Sequence, residues 1–128
     1  MSIIKTTGTI AEVIDLTKTA KEVVIETDVH MDFIPGSFVN IFMEINGEKI
    51  RRAYSVVGSR KDSNEISIAI RLSPGGKMSP LFWEKNMLGE KVEFMGPLGL
   101  NTADKMKSSR IFLFAYGVGA GVVKSLAE

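Results

Sequence analysis

The sequence predicts an all-β domain, a six-stranded antiparallel barrel or sandwich carrying one helix. Near its end this gives way to the first βα unit of an α/β nucleotide-binding domain. Three observations lead there. Short segments of alternating apolar and polar residues recur between residues 3 and 95 with turn signals between them, as antiparallel all-β folds require. Asn46-Gly47 lies between two of these segments and is the strongest short hairpin signal in the chain. After residue 109 the alternation stops, and Arg110-Ile111-Phe112-Leu113-Phe114-Ala115 runs almost wholly apolar, as a strand buried on both faces does.

Residues 3–15 read as the first strand, with Ile4, Thr6, Gly8 and Ile10 on one face and Val13-Ile14 beyond them. Lys21–Thr27 alternates again, Val23 and Ile25 opposite Glu22 and Glu26. Pro35-Gly36 marks a turn, preceded by Phe33-Ile34. Phe38–Ile45 is the third strand, and the Asn46-Gly47 hairpin returns the chain into a fourth, Lys49–Val57. Lys61-Asp62-Ser63-Asn64 reads as a polar loop before a fifth strand, Glu65–Leu72. Ser79 suits the N-cap of a short helix, and Pro80 its first position. A sixth strand, Lys91–Met95, ends at Gly96-Pro97-Leu98-Gly99. The organisation expected is a barrel over 1–100, a polar linker over 101–109 and the start of a second domain over 110–128. That start is a strand, a glycine-rich turn (Tyr116-Gly117-Val118-Gly119-Ala120-Gly121) and a helix opening at Val122.

Composition narrows the function. With 128 residues, 45% hydrophobic and 24% charged, the chain is of ordinary globular make-up and can bury one sizeable core. A net charge of +1 gives no support for nucleic acid or an anionic membrane as main partner. The absence of cysteine excludes disulfides, cysteine-ligated zinc, a cysteine nucleophile and an iron–sulfur cluster held by this chain. The single histidine, His30 between Asp28 and Asp32, reads as an exposed turn residue. No signal-peptide region and no apolar run of about 20 residues is present, so a cytoplasmic, non-membrane protein is expected.

Two stretches carry candidate chemistry. In Arg51-Arg52-Ala53-Tyr54-Ser55, a guanidinium fork suits a pyrophosphate, and Tyr54 shares its strand face. A phenol ring can stack on a planar heterocycle, while Ser55 can hydrogen-bond at the ring's edge. Arginine pairs at strand starts are more often solvated and strand tyrosines more often packing, so the stretch needs a second signal. Ser73-Pro74-Gly75-Gly76-Lys77-Met78-Ser79 supplies it. Its glycines permit close backbone approach, Lys77 adds charge, and the helix start that follows favours phosphate. Together the two offer a side-chain and a backbone phosphate site around an aromatic platform, which is what a dinucleotide such as FAD needs.

These residues resemble the ferredoxin–NADP reductase superfamily. Arg52-Ala53-Tyr54-Ser55 is similar to its Arg-x-Tyr-Ser motif, and Ile68–Arg71 followed by Gly76-Lys77-Met78-Ser79 to its second motif, as in oxygenase-type reductases. Pro35-Gly36-Ser37-Phe38-Val39 and Gly96-Pro97-Leu98-Gly99 resemble segments that open and close its flavin barrel. The resemblance implies a six-stranded antiparallel Greek-key FAD-binding barrel with one capping helix, followed by a nicotinamide-binding α/β domain. It implies that Arg52 binds the pyrophosphate and that Tyr54 and Ser55, the residues nearest the chemistry, stack on and hydrogen-bond to the flavin. Ala53 lies in the same motif. Backbone groups of Ile70, Arg71 and Leu72 would line the ribityl chain, and Gly76, Lys77, Met78 and Ser79 would hold the phosphates.

In the last segment only Gly117 and Gly119 coincide with the family's glycines, so NAD(P)H binding is expected only if the rest of that domain is present. The chain by itself is expected not to oxidise NAD(P)H. The implied function is to pass electrons between NAD(P)H and an acceptor protein, ferredoxin-like or an oxygenase. A non-catalytic FAD-binding electron-transfer subunit and an interaction module with an empty flavin site remain as alternatives. The apolar 110–128 segment is expected to pack against a second copy, giving a homodimer, or else to be disordered.

Overall fold

The computed structural model describes residues 3–29, 36–59 and 64–99. Six strands form a closed barrel: β1 (Ile4–Thr17), β2 (Ala20–Thr27), β3 (Phe38–Ile45), β4 (Glu48–Ser59), β5 (Glu65–Arg71) and β6 (Lys91–Leu98). Their order around the barrel is β1-β2-β5-β4-β3-β6, every pair antiparallel. Strands β3, β4 and β5 are consecutive neighbours and β6 returns beside β3, which is a Greek key. The choice between barrel and sandwich thus falls to the closed barrel.

Alternation explains the core. Val23 and Ile25 of β2, Ile66, Ile68 and Ile70 of β5, and Val92 and Phe94 of β6 all point inward and are buried. Asn46 and Gly47 both adopt positive φ (52° and 77°), and Ile45 pairs with Glu48. This is the two-residue I′ turn that the dipeptide predicts.

The ends of β1, β2, β4 and β5 fall within two residues of expectation, and two other boundaries differ more. Strand β6 continues through Gly96-Pro97 to Leu98 instead of ending there. Its ladder to β3 steps from Asn40↔Met95 to Phe38↔Leu98, one residue extra on β6, and such a bulge accommodates a proline that has no N–H to give. The helix α1 is a single turn, Leu81–Glu84, with Pro80 rather than Ser79 at its N-cap position and no side-chain cap. Ser79 is drawn elsewhere by a stronger local demand, described below.

Among the described residues no helix is long and apolar enough to cross a membrane. The turn at Phe33–Pro35, His30, the loop over 61–63, the linker over 101–109 and the βα unit over 110–128, with Gly117, Gly119 and the expected pairing surface, lie outside the described residues.

Candidate functional site

The site opens where one seam of the barrel does not close. Strand β4 pairs with β3 from Glu48 to Ser55, but its ladder to β5 covers only Val56–Ser59 against Ile66–Ile68. On the other side, Ala69, Ile70 and Arg71 pair with β2 alone. The two strands therefore diverge, and the edges of Arg52–Ser55 and Ala69–Arg71 flank a cleft of about 370 Å³. The loop between β5 and α1 forms its floor through Ser73, Gly76, Lys77, Met78 and Ser79.

Arg52, Ala53, Tyr54 and Ser55 all line this cleft, as do Arg71, Gly76, Lys77, Met78 and Ser79. The side chains of Ile70 and Leu72 do not: that of Ile70 is fully buried in the core, although its backbone has no ladder partner in β4, and Leu72, whose N–H donates to the Thr19 carbonyl (2.8 Å), lines a neighbouring cavity. Sequence reasoning missed Ala69 and Ser73 as lining residues. Ala69 carries no polar signal of its own, and its place follows from standing opposite Arg52–Ser55 across the open seam.

Charge is distributed unevenly. The described residues lining the cleft include three cations, Arg52, Arg71 and Lys77, and no carboxylate, so the cleft favours an anion. One guanidinium nitrogen of Arg52 donates to the Arg51 carbonyl at 2.7 Å, which lays the side chain along its own strand. That uses one of five N–H donors and leaves the fork able to engage a phosphate.

Tyr54 sits on the inward face of β4 between Ile50 and Val56, both buried, and packs its ring on the core. Burial raises its phenol pKa above the ordinary value, and the Arg52 guanidinium pulls it partly back. The phenol is thus a neutral hydrogen-bonding group at physiological pH. The packing reading of Tyr54 holds, and its residue also borders the cleft.

The floor loop is built for closeness. Gly76 donates to the Ser73 carbonyl at 2.9 Å, and a Cβ placed on Gly76 would stand 2.9 Å from that same oxygen. Only glycine fits there. Ser79 Oγ accepts the Ser73 N–H at 2.9 Å, tying the two ends of the loop, and this is why it does not cap α1. Met78 is 1% exposed and anchors the loop in the core. Within this loop residues 73–77 are exposed, Gly76 and Lys77 among them lining the cleft, while the buried Met78 and Ser79 hold the shape.

Helix α1 is held from outside by Lys21, whose Nζ donates to the Phe82 carbonyl at 2.7 Å and lies 4.8 Å from the Trp83 ring centre. The Trp83 indole N–H donates to the Lys18 carbonyl at 3.1 Å. The β1–β2 hairpin therefore fixes the helix that ends the floor loop.

The cleft fits FAD. It combines an aromatic platform, a cationic lining, hydroxyls at Ser55, Ser73 and Ser79, and a tight turn at Gly76 whose own backbone leaves no room for a side chain.

Comparison with known proteins agrees. The family model for the oxidoreductase FAD-binding domain matches residues 8–102. The chain is 33% identical over 96 residues to the glycine betaine monooxygenase reductase subunit of Pseudomonas aeruginosa, covering 75% of this chain and 26% of that protein. It is 34% identical over 96 residues to the toluate 1,2-dioxygenase electron transfer component of Pseudomonas putida, covering 75% and 27%. Among solved structures, the ferredoxin reductase in carbazole 1,9a-dioxygenase superposes with a TM-score of 0.70 at 30% identity, covering 77% of this chain and 30% of that one. The chain thus spans about a quarter of the length of these curated relatives.

Proposed function

The chain belongs to the oxidoreductase FAD-binding domain family, and from that premise we propose that it seats FAD in the cleft between β4 and β5. The flavin ring lies against Tyr54 with Ser55 at its edge, and the pyrophosphate lies between Arg52 and the Gly76–Lys77 turn. Within a cytoplasmic flavoprotein reductase, the domain passes electrons between NAD(P)H and an acceptor protein, ferredoxin-like or an oxygenase, with the nicotinamide held by a second domain. The similarity to reductase and electron-transfer components of oxygenases supports this role.

The observation that carries the reading is the cleft itself: three cations, no carboxylate among its described lining residues, and one aromatic face. Bound FAD supplies hydride acceptance and one-electron release. The protein's part is to bind and orient. Arg52 and Lys77 neutralise the diphosphate, Gly76 lets it approach the backbone, and the half-buried Tyr54 shields one flank from water. The neutral Tyr54 phenol and the Ser55 hydroxyl hold hydrogen bonds without adding charge.

Purified protein mixed with FAD and desalted should retain the yellow flavin absorbance in stoichiometric amount. Arg52→Ala should weaken binding roughly ten- to hundredfold, as expected on removing charge-assisted hydrogen bonds. Protein that stays colourless after FAD addition would overturn the reading.

A further inference from the structure

Two cavities meet at Gly76 and Lys77. The cleft already described has no carboxylate among its described lining residues, whereas the adjoining cavity, of about 600 Å³, is lined by Glu48 and Glu84 together with Asn46, Leu72 and Trp83. Lys77 lines both, and its Nζ lies 3.0 Å from Glu48 Oε2, to which it donates a hydrogen bond. Glu48 is the first residue of β4 and follows the Asn46-Gly47 turn directly, so its carboxylate is presented from a backbone fixed by the barrel. Lys77 instead reaches it on a flexible four-carbon stem.

We propose that Glu48 is a counter-ligand that sets the affinity of the cleft for the flavin diphosphate by holding Lys77 on the side of the adjoining cavity. The inference rests on the FAD reading and adds a residue that the motifs do not contain. A diphosphate entering between Arg52 and Gly76 competes with the Glu48 carboxylate for one ammonium group. Both side chains are more than half exposed, 56% for Lys77 and 62% for Glu48. The pair is therefore weak enough to exchange, and its effect on affinity is limited to about two- to fivefold. Binding transfers Lys77 from carboxylate to phosphate and leaves Glu48 to water.

FAD titrations of the full chain, followed by the change in flavin absorbance, test this in four proteins: wild type, Glu48→Gln, Lys77→Gln and the double variant. Both positions are exposed, so the substitutions keep the fold. Glu48→Gln should tighten FAD binding about two- to fivefold. Lys77→Gln should weaken binding, and in its background the gain from Glu48→Gln should shrink. Unchanged or weaker binding by Glu48→Gln overturns the inference, and so does an equal gain in both backgrounds, which would mean through-space repulsion alone. If wild type binds FAD and Glu48→Gln is neutral, the counter-ligand fails and the flavin reading stands. If wild type takes up no FAD, both fall.

Discussion

Tyr54 serves the core and the cleft at once, and this makes it a reporter of both. Its raised pKa, caused first by burial and opposed by Arg52, means that folding favours the neutral phenol. The resulting stabilisation is fully present below the ordinary tyrosine value of about 10 and is lost as pH rises through the higher folded value. Alkaline titration of phenolate absorbance should therefore show one late tyrosine, absent in Tyr54→Phe, and stability should fall with pH more steeply in wild type than in that variant. Bound FAD should delay the step further, because the pyrophosphate takes up the Arg52 charge that now lowers it. A Tyr54 that titrates with the ordinary value would mean its ring is solvated, which would also remove it as a platform. Sequence alternation placed Arg52 and Tyr54 on one face but could not decide between packing and binding. That its ring packs on the core and also borders the cleft follows from the depth of one residue, which only its neighbours determine.

At the scale of elements, the site is a seam between strands and a loop that spans it. The family-like pattern Gly76-Lys77-Met78-Ser79 suggests four residues turned toward phosphate, and the fold divides them. Ser79 Oγ closes the loop on the Ser73 N–H and Met78 plugs it into the core, so these two preserve the geometry that Gly76 and Lys77 present. Ser79→Ala should then lower stability by about 1–3 kcal/mol even without FAD, because the Ser73 N–H loses its acceptor in a partly buried place. A shift of the urea midpoint at constant slope would measure this. An apo-protein of unchanged stability would instead make Ser79 a phosphate ligand only. The serine was legible as important, yet its role as helix cap was misjudged, since a six-residue return to Ser73 leaves no trace in local propensity.

For the whole molecule, barrel closure crowds the interior at places that look unremarkable in the chain. Gly8 stands in β1 between β2 and β6, and a Cβ there would meet Ile25 Cγ2 at 2.5 Å, a Phe94 ring carbon at 3.0 Å and the Glu26 carbonyl oxygen at 3.1 Å. Gly8→Ala should cost about 1–3 kcal/mol of overpacking, which for a domain of this size is a fall in Tm of roughly 4–8 °C per kcal/mol. Calorimetry reads it directly, and an undisturbed Tm would mean that the β1–β2–β6 wall is looser than its register indicates. FAD retention at low temperature should survive the change, since Gly8 is not among the residues lining the cleft.

By itself the sequence determined what depends on neighbours along the chain. Period-two alternation set the six strands, paired positive-φ residues set the Asn46-Gly47 turn, and the glycines and cations of two short stretches marked an anionic dinucleotide. Tertiary structure decided what depends on closure. The divergence of β4 from β5, the tie from Ser73 to Ser79, the passage of β6 through Gly96-Pro97 and the meeting of Lys77 with Glu48 join residues whose pairing is fixed by strand order around the barrel. Local pattern encodes which face of a strand is buried, because that follows from alternation alone. It does not encode which strands part, because that is set by how a twisted sheet must open to close on itself.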